Sequence, residues 1–265
     1  MERALERAMQ MTPSPLFGMP DDSPDRPDLS VVIPMYNEEG GAAELVREID
    51  ATFTDLTYEI IAVNDASRDA TESALLSLKS EVPALRVLSH AKNSGQSRAV
   101  RTGILAARAP VIATLDGDGQ NVPGDIPKLY AHLNRPDAPA LLALVGGERQ
   151  KRQDSQAKLI ASRAANAVRK KFLKDEANDT GCGLKVFWRE AFLRLPYFDH
   201  VHRYIPALMV REGFLTEFLP VSHRPRSHGQ SKYTNFGRAA VAVRDLLGVS
   251  WLIARSRSPQ DIQEL

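Results

Sequence analysis

Short apolar runs alternate with amphipathic stretches over the first half of the chain. Four of these runs are five or six residues long and rich in Val and Ile, as buried strands are: Ser30–Pro34, Tyr58–Val63, Leu85–Ser89 and Val111–Leu115. Apolar residues at helical spacing follow each run, over residues 40–53, 69–80, 96–108 and 124–134. This alternation predicts an α/β fold with right-handed crossovers and a parallel sheet covered by helices on both faces.

The alternation fades in the second half of the chain. The apolar run Leu141–Val145 still continues the sheet. Two later runs are plausible strands, Leu184–Phe187 and Phe214–Pro220. Helical patterns cover residues 154–174, residues near 202–212 and residues 235–254, and the first of these is strongly basic. Five prolines lie in residues 1–28, which predicts a disordered tail before a single ordered domain over 29–257 and a short tail over 258–265.

The composition is that of an ordinary soluble globular protein. Apolar side chains make up 43% of the 265 residues and charged ones 25%, which excludes wholesale disorder. The single cysteine, Cys182, excludes a disulfide framework and favours a reducing compartment. No apolar run approaches the roughly 18 to 20 residues of a spanning helix, and the charged amino terminus is unlike a secretory signal. We therefore expect a cytoplasmic chain.

The net charge of +1 hides a division between the two halves. Residues 1–147 contain 13 Lys and Arg against 21 Asp and Glu, whereas residues 148–265 contain 21 against 12. Such an asymmetry often indicates an anionic partner for the basic half. Solvated helix faces are the alternative interpretation.

Ligands of open parallel sheets bind beyond the carboxyl ends of the strands, where the loops leave the sheet. Each of the first four predicted strands is followed there by polar residues: 34–39, 64–69, 92–95 and 116–121. The first loop contains no G-x-G-x-x-G pattern, and no Walker sequence occurs in the chain. A phosphate-bearing ligand would therefore need a different means of neutralisation.

Asp116-Gly117-Asp118 supplies such a means. Two carboxylates one residue apart, on a turn after a buried strand, can face one hard cation such as Mg²⁺ or Mn²⁺. The open positions of that ion are filled by diphosphate oxygens, and the ion offsets charge on a leaving diphosphate. Gln120 adds a neutral oxygen, and the adjacent glycines allow a close approach of the ligand.

This motif has three other interpretations. An EF-hand loop fails because Pro127 stands at the position of the bidentate Glu. A phosphatase of the haloacid dehalogenase type requires a later acidic pair, and Asp175 and Glu176 lie in a basic stretch that fits this role poorly. A simple turn remains the alternative without chemistry.

The loops after the first two strands offer candidates for a nucleotide pocket. Asp65 can accept hydrogen bonds from the ring N–H groups of uracil or guanine, although Ser67 or Asp69 nearby can equally cap a helix. Tyr36 can stack on a base or simply pack. Glu38 is either a ligand-binding residue or a cap of the first helix.

Cations cluster in the second half of the chain. Arg149 follows the fifth strand, and the segment Arg224–Lys232 mixes Arg, Lys, Ser and Gly in a composition suited to phosphate oxygens. A nucleic-acid groove competes with this interpretation, but aromatic residues for base stacking are scarce here, so no nucleic-acid partner is expected.

Seven motifs in order resemble the family 2 glycosyltransferases of GT-A fold, specifically polyprenyl-phosphate sugar synthases of the dolichol-phosphate mannose synthase type. The resemblance covers residues 29 to 257. The motifs are V-I-P-M-Y-N-E at 32–38, V-N-D-A-S-R-D-A-T at 63–71, K-N-S-G-Q-S-R-A at 92–99, L-D-G-D-G-Q-N at 115–121, G-E-R at 147–149, D-T-G-C-G-L-K at 179–185 and R-S-H-G-Q-S-K at 226–232. Asn64 departs from the family, in which many members carry Asp.

The resemblance implies a GT-A, Rossmann-like fold, with a mixed, mostly parallel sheet flanked by helices in a single domain. It implies a nucleotide-sugar and metal half over residues 29–147 and a basic, acceptor-binding half over 148–257. The implied donor-binding residues are Pro34, Tyr36, Glu38, Val63, Asp65, Asp116, Gly117 and Asp118. The implied metal ligands are Asp116, Asp118 and Gln120, holding Mg²⁺ or Mn²⁺. The implied acceptor-binding residues are Arg149, Ser162, Arg163, Arg226, Ser231 and Lys232, and the implied catalytic set is Asp116, Asp118, Arg149, Arg226 and Lys232.

The leading hypothesis is transfer of a hexose, with inversion, from GDP-mannose or a UDP-hexose to a polyprenyl phosphate for cell-envelope glycan or glycoconjugate synthesis. Relatives often have transmembrane helices after this domain. Peripheral contact with the cytoplasmic face of a membrane is therefore expected to depend on the basic carboxyl-terminal helix or on a membrane partner protein. One alternative is transfer to a saccharide hydroxyl in surface polysaccharide assembly, with Asp179 as the base. Another is a non-catalytic module that binds nucleotide sugars.

Overall fold

A seven-stranded mixed sheet forms the centre of the molecule. The computed structural model describes residues 26–149, 173, 179, 181–225 and 235–256, with the backbone alone for 235–240. The sheet order is β3-β2-β1-β4-β6-β5-β7. The strands are β1 (Leu29–Met35), β2 (Tyr58–Asn64), β3 (Leu85–Ser89), β4 (Val111–Thr114), β5 (Leu142–Arg149), β6 (Lys185–Trp188) and β7 (Leu215–Val221). The predicted tails over 1–28 and 258–265 and the predicted helix over 154–174 lie almost wholly outside the described residues.

Six of these strands run in one direction, and β6 runs in the other. β1 pairs in parallel with both β2 and β4, and β2 pairs in parallel with β3. β6 is antiparallel to β4 and to β5, whereas β7 is parallel to β5. The mixed, mostly parallel sheet implied by the family resemblance is thus confirmed. The parallel pairing that the hydrophobic pattern predicted for the first four strands is also confirmed. The antiparallel strand, β6, lies between β4 and β5.

Helices cover both faces of the sheet. They are α1 (Ala42–Asp50), α2 (Thr71–Ser77), α3 (Gln96–Ala106), α4 (Ile126–Leu133), α5 (Arg189–Leu193), α6 (Ile205–Arg211) and α7 (Asn235–Arg255). Single 3₁₀ turns lie at Leu78–Ser80, Pro123–Asp125 and Val201–Arg203. The predicted helices over 40–53, 69–80, 96–108, 124–134 and 235–254 are present with slightly different ends. The one near 202–212 is divided into a 3₁₀ turn and α6.

The core is divided into two apolar layers by the sheet. Val31 and Ile33 of β1 pack into one layer, together with Leu45 of α1 and Leu129 of α4. Val32, which lies between them in the sequence, packs into the other layer with α3, α5 and α6. Alternate residues of a strand point to opposite faces, so both faces of β1 are buried. The polar loops therefore remain at the ends of the strands, where the candidate site lies.

Candidate active site

The loops after β1 and β2 are joined by reciprocal hydrogen bonds. The backbone N–H of Asn37 donates to the Ser67 hydroxyl at 3.0 Å, and the N–H of Arg68 donates to Asn37 Oδ1 at 2.8 Å. The N–H of Glu38 donates to Thr71 Oγ1 at 2.8 Å. Asn37 has a positive φ of 52°, a conformation that Asn tolerates better than most residues. The predicted donor-binding loops thus form one rigid edge.

Four predicted donor residues belong to this edge. Pro34 and Val63 are paired across β1 and β2. Tyr36 and Glu38 are half-buried, and the Glu38 side chain lines a small cleft together with Gly117 and Asp118. The cap of α1 comes from the Glu38 backbone, because its carbonyl accepts from the N–H groups of residues 41 and 42. The contact of the Glu38 carboxylate with a donor stays a prediction.

Asp65 is buried, with 3% of its surface exposed, and orders the start of α3. Its Oδ1 accepts from the N–H of Ser94 at 2.8 Å and lies 2.7 Å from Nδ1 of His90. Its Oδ2 accepts from the N–H of Gly95 at 2.8 Å. The start of α2 is held instead by Asp69, whose Oδ1 accepts from the N–H of Thr71. Asp65 therefore has a structural role, and its contact with a nucleobase stays a prediction.

Asp116 lies just after β4 and is partly buried. Gln96 Nε2 donates to its Oδ1 at 2.7 Å, and its own N–H donates to Asn121 Oδ1 at 3.2 Å. Burial, followed by the negative charge of Asp118, raises the pKa of the Asp116 carboxyl, while the Lys185 ammonium opposes this shift. A divalent cation between the two aspartates would relieve the same repulsion.

The turn that contains Asp118 is tightly constrained. The N–H of Gln120 donates to Asp118 Oδ1 at 3.1 Å, and Gly119 has a positive φ of 71°. Gly117 packs on the end of β1, because a Cβ atom there would stand 2.6 Å from the carbonyl oxygen of Pro34. The absence of a side chain at Gly117 thus serves the approach of two backbone segments, in addition to any approach of a donor.

Arg224, the first residue of the predicted phosphate-binding segment, holds this turn in position. Its guanidinium donates to both carboxylate oxygens of Glu48, at 3.1 and 2.6 Å, and to the carbonyl of Gly119. Its N–H donates to the Gln120 carbonyl at 3.1 Å. Arg224 therefore ties the end of β7 to α1 and to the turn at residues 117–120, the predicted metal loop. The other predicted residues of this region, Arg226, Ser231 and Lys232, lie outside the described residues, as do Ser162 and Arg163.

A cavity of about 440 Å³ opens beside Asp116. Its polar lining includes Gln96, Asp116, Arg149, Lys185, His202 and Arg203. The last three were not assigned a role from the sequence, although Lys185 ends a motif that was recognised. The available signal for Lys185 was the alternation of side chains along β6, which turns this lysine toward the interior. Lys185 pairs there with Thr114 of β4. The structure therefore adds three cationic or titratable groups to the site.

Lys185 is buried, whereas His202 is partly buried at the cavity wall. Lys185 is 5% exposed and donates to the carbonyl of Cys182. Burial lowers the pKa of its ammonium, while Cys182 and Asp116 act in the opposite direction. Burial also lowers the pKa of His202 to about 3, and nearby Arg203 adds to the shift. His202 is therefore neutral at physiological pH, and its Nδ1 lies 2.7 Å from the hydroxyl of Ser97.

Arg149 faces the cavity but is already bound to a carboxylate. Its Nε and a terminal nitrogen donate to the two oxygens of Asp179, at 2.6 and 2.7 Å. The hydrogen bonds to Asp179 raise the pKa of the Arg149 guanidinium, so it stays charged. Gly181 is needed beside this pair, because a Cβ atom there would stand 2.9 Å from the guanidinium. The pair fixes Arg149, the last residue of β5, at the cavity wall.

The donor atoms at Asp116 and Asp118 suit a hard divalent cation. Within residues 26–149 and the later described stretches, no group of three or more His, Cys, Asp or Glu is arranged to hold a metal. Two carboxylates with the amide oxygen of Gln120 leave several positions for water or diphosphate oxygens, as Mg²⁺ prefers. The residues therefore fit a metal that is completed by its substrate.

Comparison with known proteins defines the class. The model of Glycosyl transferase family 2 matches residues 30–195, which is more than half of the chain. The chain therefore belongs to the family 2 glycosyltransferases. A dodecaprenyl-phosphate galacturonate synthase of Rhizobium johnstonii is 33% identical over 257 residues, which cover 95% of this chain and 74% of that protein.

A second relative has a related name. An undecaprenyl-phosphate 4-deoxy-4-formamido-L-arabinose transferase of Pseudomonas fluorescens is 34% identical over 210 residues, or 78% of this chain. The matched region spans only 60% of that longer protein. In the part of this chain that the structure describes, no helix has the length and apolar character needed to cross a bilayer.

Solved structures confirm the fold. Glucosyl-3-phosphoglycerate synthase from Mycobacterium tuberculosis superposes with a TM-score of 0.64 at 16% identity, covering 97% of this chain and 85% of that one. A mannosyltransferase from Pyrobaculum calidifontis, in complex with GDP-Man and Mn²⁺, gives a TM-score of 0.60 at 17% identity, covering 98% and 73%. The GT-A fold implied by the sequence motifs is thus confirmed.

Proposed function

We propose that this protein transfers a sugar from a nucleotide sugar to a polyprenyl phosphate, with inversion at the anomeric carbon. The product would be a lipid-linked sugar for cell-envelope glycans or glycoconjugates. The observation that carries the proposal is the cavity beside Asp116, where Arg149, Lys185 and Arg203 line the wall next to the predicted diphosphate site. The names of the two relatives, which both act on polyprenyl phosphates, support the same acceptor.

The acceptor explains why this site needs no dedicated general base. A phosphate monoester is already ionised near neutral pH, so its oxygen can attack without losing a proton, unlike a saccharide hydroxyl. Asp179, the candidate base for a saccharide acceptor, has both carboxylate oxygens bound by Arg149. This ion pair favours the phosphate acceptor over the hydroxyl acceptor.

Positioning and electrostatic stabilisation would then supply most of the catalysis. Asp116, Asp118 and Gln120 are proposed to hold Mg²⁺ or Mn²⁺, which would neutralise the departing diphosphate when bound. Pro34, Tyr36, Glu38, Val63, Asp65 and Gly117 are proposed to contact the nucleotide sugar. Arg149 would orient the acceptor phosphate, and Arg226 and Lys232 would complete the cationic set. Ser162, Arg163 and Ser231 are assigned to the acceptor phosphate on the family resemblance.

The position of the enzyme follows from its substrates. A nucleotide sugar is soluble in the cytosol, whereas a polyprenyl phosphate is held in a membrane. We therefore propose that the protein works at the cytoplasmic face of a membrane as a peripheral protein. Its ordered part is proposed to be one domain over residues 29–257, with a donor half over 29–147 and an acceptor half over 148–257.

A substrate panel tests the proposal. Labelled GDP-mannose and a set of UDP-sugars are incubated with the protein, undecaprenyl phosphate and Mn²⁺, and the lipid fraction is extracted and counted. We expect label in the lipid with at least one donor, and its loss after chelation of the metal. Asp118→Asn should abolish the transfer while leaving the protein folded, and Asp137→Asn, at a side chain that is 86% exposed, should not.

Three outcomes would reject the proposal. Label transferred to a glycan but not to lipid would favour the saccharide acceptor. Binding of donors without transfer or donor hydrolysis would favour a non-catalytic module. Full activity of Asp118→Asn with the metal chelated would remove the metal-dependent mechanism.

A further inference from the structure

One face of α7 packs on the domain. Val249 is 1% exposed, and Leu246 and Ile253 pack against the second layer of the core. Polar contacts hold the helix from the same side. Arg211 donates to the carbonyl of Leu252 at 3.2 Å, and His200 Nδ1 lies 3.0 Å from the carboxylate of Asp245. The orientation of α7 on the domain is therefore fixed.

The opposite face of α7 leaves large apolar side chains in solvent. Val243, Leu247 and Trp251 are 58%, 59% and 62% exposed. Residues four apart lie above one another on a helix, so these three side chains form one continuous stripe. Within the described residues, Trp251 is the most exposed large apolar side chain. A contiguous apolar stripe of this kind marks an interaction surface better than scattered single residues do.

The charged side chains beside this stripe indicate the chemistry of its partner. Arg244 and Arg255 are both exposed and lie along one edge of the stripe, about 20° to 40° of helix rotation from Trp251. Asp245, the one acidic residue between positions 241 and 256, is turned toward the domain and paired with His200. The exposed face is therefore apolar with a cationic border. Two copies of such a face would repel one another, whereas an anionic lipid surface matches it.

The helix also lies on the element that forms one wall of the cavity. His202, Arg203 and Ile205 line the cavity. Their neighbours contact α7, because the Tyr204 hydroxyl donates to the Ala242 carbonyl at 3.4 Å and His200 pairs with Asp245. A surface that docks through α7 would thus be next to the wall of the acceptor cavity.

We propose that Val243, Leu247 and Trp251, with Arg244 and Arg255, form a docking face for an anionic bilayer surface. Trp251 and Leu247 enter the boundary between headgroups and acyl chains, where the amphipathic indole ring is favoured. The two arginines bind the anionic headgroups. The proposal rests on the proposed function, because it gives the route by which a membrane-held acceptor phosphate meets the cavity.

Binding to vesicles tests the docking face on the full chain. Co-sedimentation is measured with phosphatidylcholine vesicles, alone and with added phosphatidylglycerol. We expect binding to the anionic vesicles that weakens with salt. Arg244→Gln with Arg255→Gln should weaken it by roughly 25-fold, since each cation near an anionic leaflet contributes about fivefold. Leu247→Ser with Trp251→Ser should weaken it at least about tenfold.

A matched control separates the face from exposed apolar surface in general. Leu76 and Leu105 are 50% and 42% exposed on α2 and α3, away from the stripe. Leu76→Ser with Leu105→Ser should leave vesicle binding unchanged. The unfolding temperature of each variant, measured by circular dichroism, reports whether the protein still folds.

Tryptophan fluorescence gives a second measurement. Vesicles would not change the emission of Trp251 if this residue had only a structural role. The chain contains 2 tryptophans, so Trp188→Phe leaves Trp251 as the sole indole. Anionic vesicles should shift its emission to shorter wavelength, and brominated acyl chains should quench it. Unchanged emission at saturating lipid would overturn the proposal.

Two further results would also overturn it. One is equal vesicle binding by the Leu247→Ser, Trp251→Ser variant and the parent protein. The other is a dimer in sedimentation velocity that this variant dissociates, with no binding to vesicles, since a second copy would then be the partner. Transfer to a short, water-soluble prenyl phosphate separates docking from catalysis. Transfer to this soluble acceptor should be the same in the Leu247→Ser, Trp251→Ser variant as in the parent protein. If the parent protein bound vesicles but did not transfer sugar to the soluble acceptor, the proposed function would be rejected and the docking face would stand.

Discussion

The carboxylate of Asp116 lies directly against Gly183, with its Cγ 2.5 Å from where a Cβ atom of Gly183 would stand. The carbonyl of Gly183 in turn accepts a hydrogen bond from Thr114 Oγ1 at 3.0 Å. The segment before β6 therefore fixes the position of the metal-loop carboxylate. A distance of this size is below any ordinary van der Waals contact, so the site has no room for a side chain at position 183.

Gly183→Ala should consequently displace Asp116 and reduce kcat by about a hundredfold or more, because displacements near 1 Å have that effect on positioned groups. The measurement is lipid-linked product formation at saturating donor and metal. Gly124→Ala is the matched control, since a Cβ atom there would come no nearer than 4.0 Å to Val122. Equal activity of the two variants would contradict the assigned role of Asp116.

Asp179 is expected to act on the reaction through Arg149. If it only orients the guanidinium, then Asp179→Asn should lower activity by about tenfold, and Arg149→Gln should lower it by about a hundredfold. The double variant should then be no worse than Arg149→Gln alone, because the two residues act as one unit. The kinetic parameters kcat and KM of the three variants are compared at one pH.

If Asp179 were a general base, the same experiment would give a different result. The effects of the two substitutions would multiply, and Asp179→Asn would remove the acidic limb of the pH–rate profile. Glu217→Gln is a suitable control for the loss of an ion-paired carboxylate, because Glu217 pairs with Arg135 and His132 and these three residues do not line the cavity.

Local patterning was sufficient to predict the strands and the loops that leave them. Val31, Val32 and Ile33 are all buried, so their apolar run identified β1 directly. The polar residues after each strand then had to meet at one edge, because parallel strands share the direction of their carboxyl ends. The direction of β6 could not be predicted in the same way, since its four residues carry no local signal of orientation.

Contacts between residues that are far apart in the sequence also could not be predicted from it. Arg224 was assigned to phosphate binding from its neighbours, yet its partner Glu48 lies 176 positions away. Asp65 orders the start of α3, a contact across 29 and 30 positions that no local pattern predicts, and its contact with a nucleobase stays a prediction. Charged side chains are placed by tertiary packing, so composition predicted that the second half would bind an anion without predicting which cations line the cavity.

Glu59 should contribute stability that depends on pH. The side chain is 1% exposed, and its Oε1 accepts from Ser30 Oγ at 2.6 Å and from the N–H of Arg108 at 2.7 Å. Burial alone would raise the pKa of Glu59, but hydrogen bonds from Ser30, Arg108 and Arg86 outweigh it and lower the pKa. Glu59→Gln should therefore reduce the free energy of unfolding by about 2 kcal/mol at neutral pH.

The sign of the pH dependence follows from the lowered pKa. The stabilisation by Glu59 is fully present above the ordinary pKa of a Glu in the unfolded chain, about 4.3, and is lost as the pH falls further. The difference in unfolding free energy between the parent protein and Glu59→Gln, measured with urea, should be smaller at pH 4 than at pH 7. Glu81→Gln is the control at an exposed pair with Arg47, and it should show a much smaller difference, because solvent screens an exposed ion pair.

His202 should oppose folding as the pH falls below its ordinary pKa. In the unfolded chain the imidazole takes up a proton near pH 6.5, whereas in the folded protein burial holds the pKa at about 3. Between these values the unfolded state binds the extra proton, so the parent protein should lose at most about 1.4 kcal/mol per pH unit from this group. His202→Asn keeps an acceptor for the Ser97 hydroxyl and removes the titration. The difference in unfolding free energy between parent and variant, measured with urea between pH 6.5 and 4.5, should therefore change steadily in favour of the variant. A constant difference over that interval would mean that His202 is solvated and able to take a proton in the folded protein, contrary to its lowered pKa.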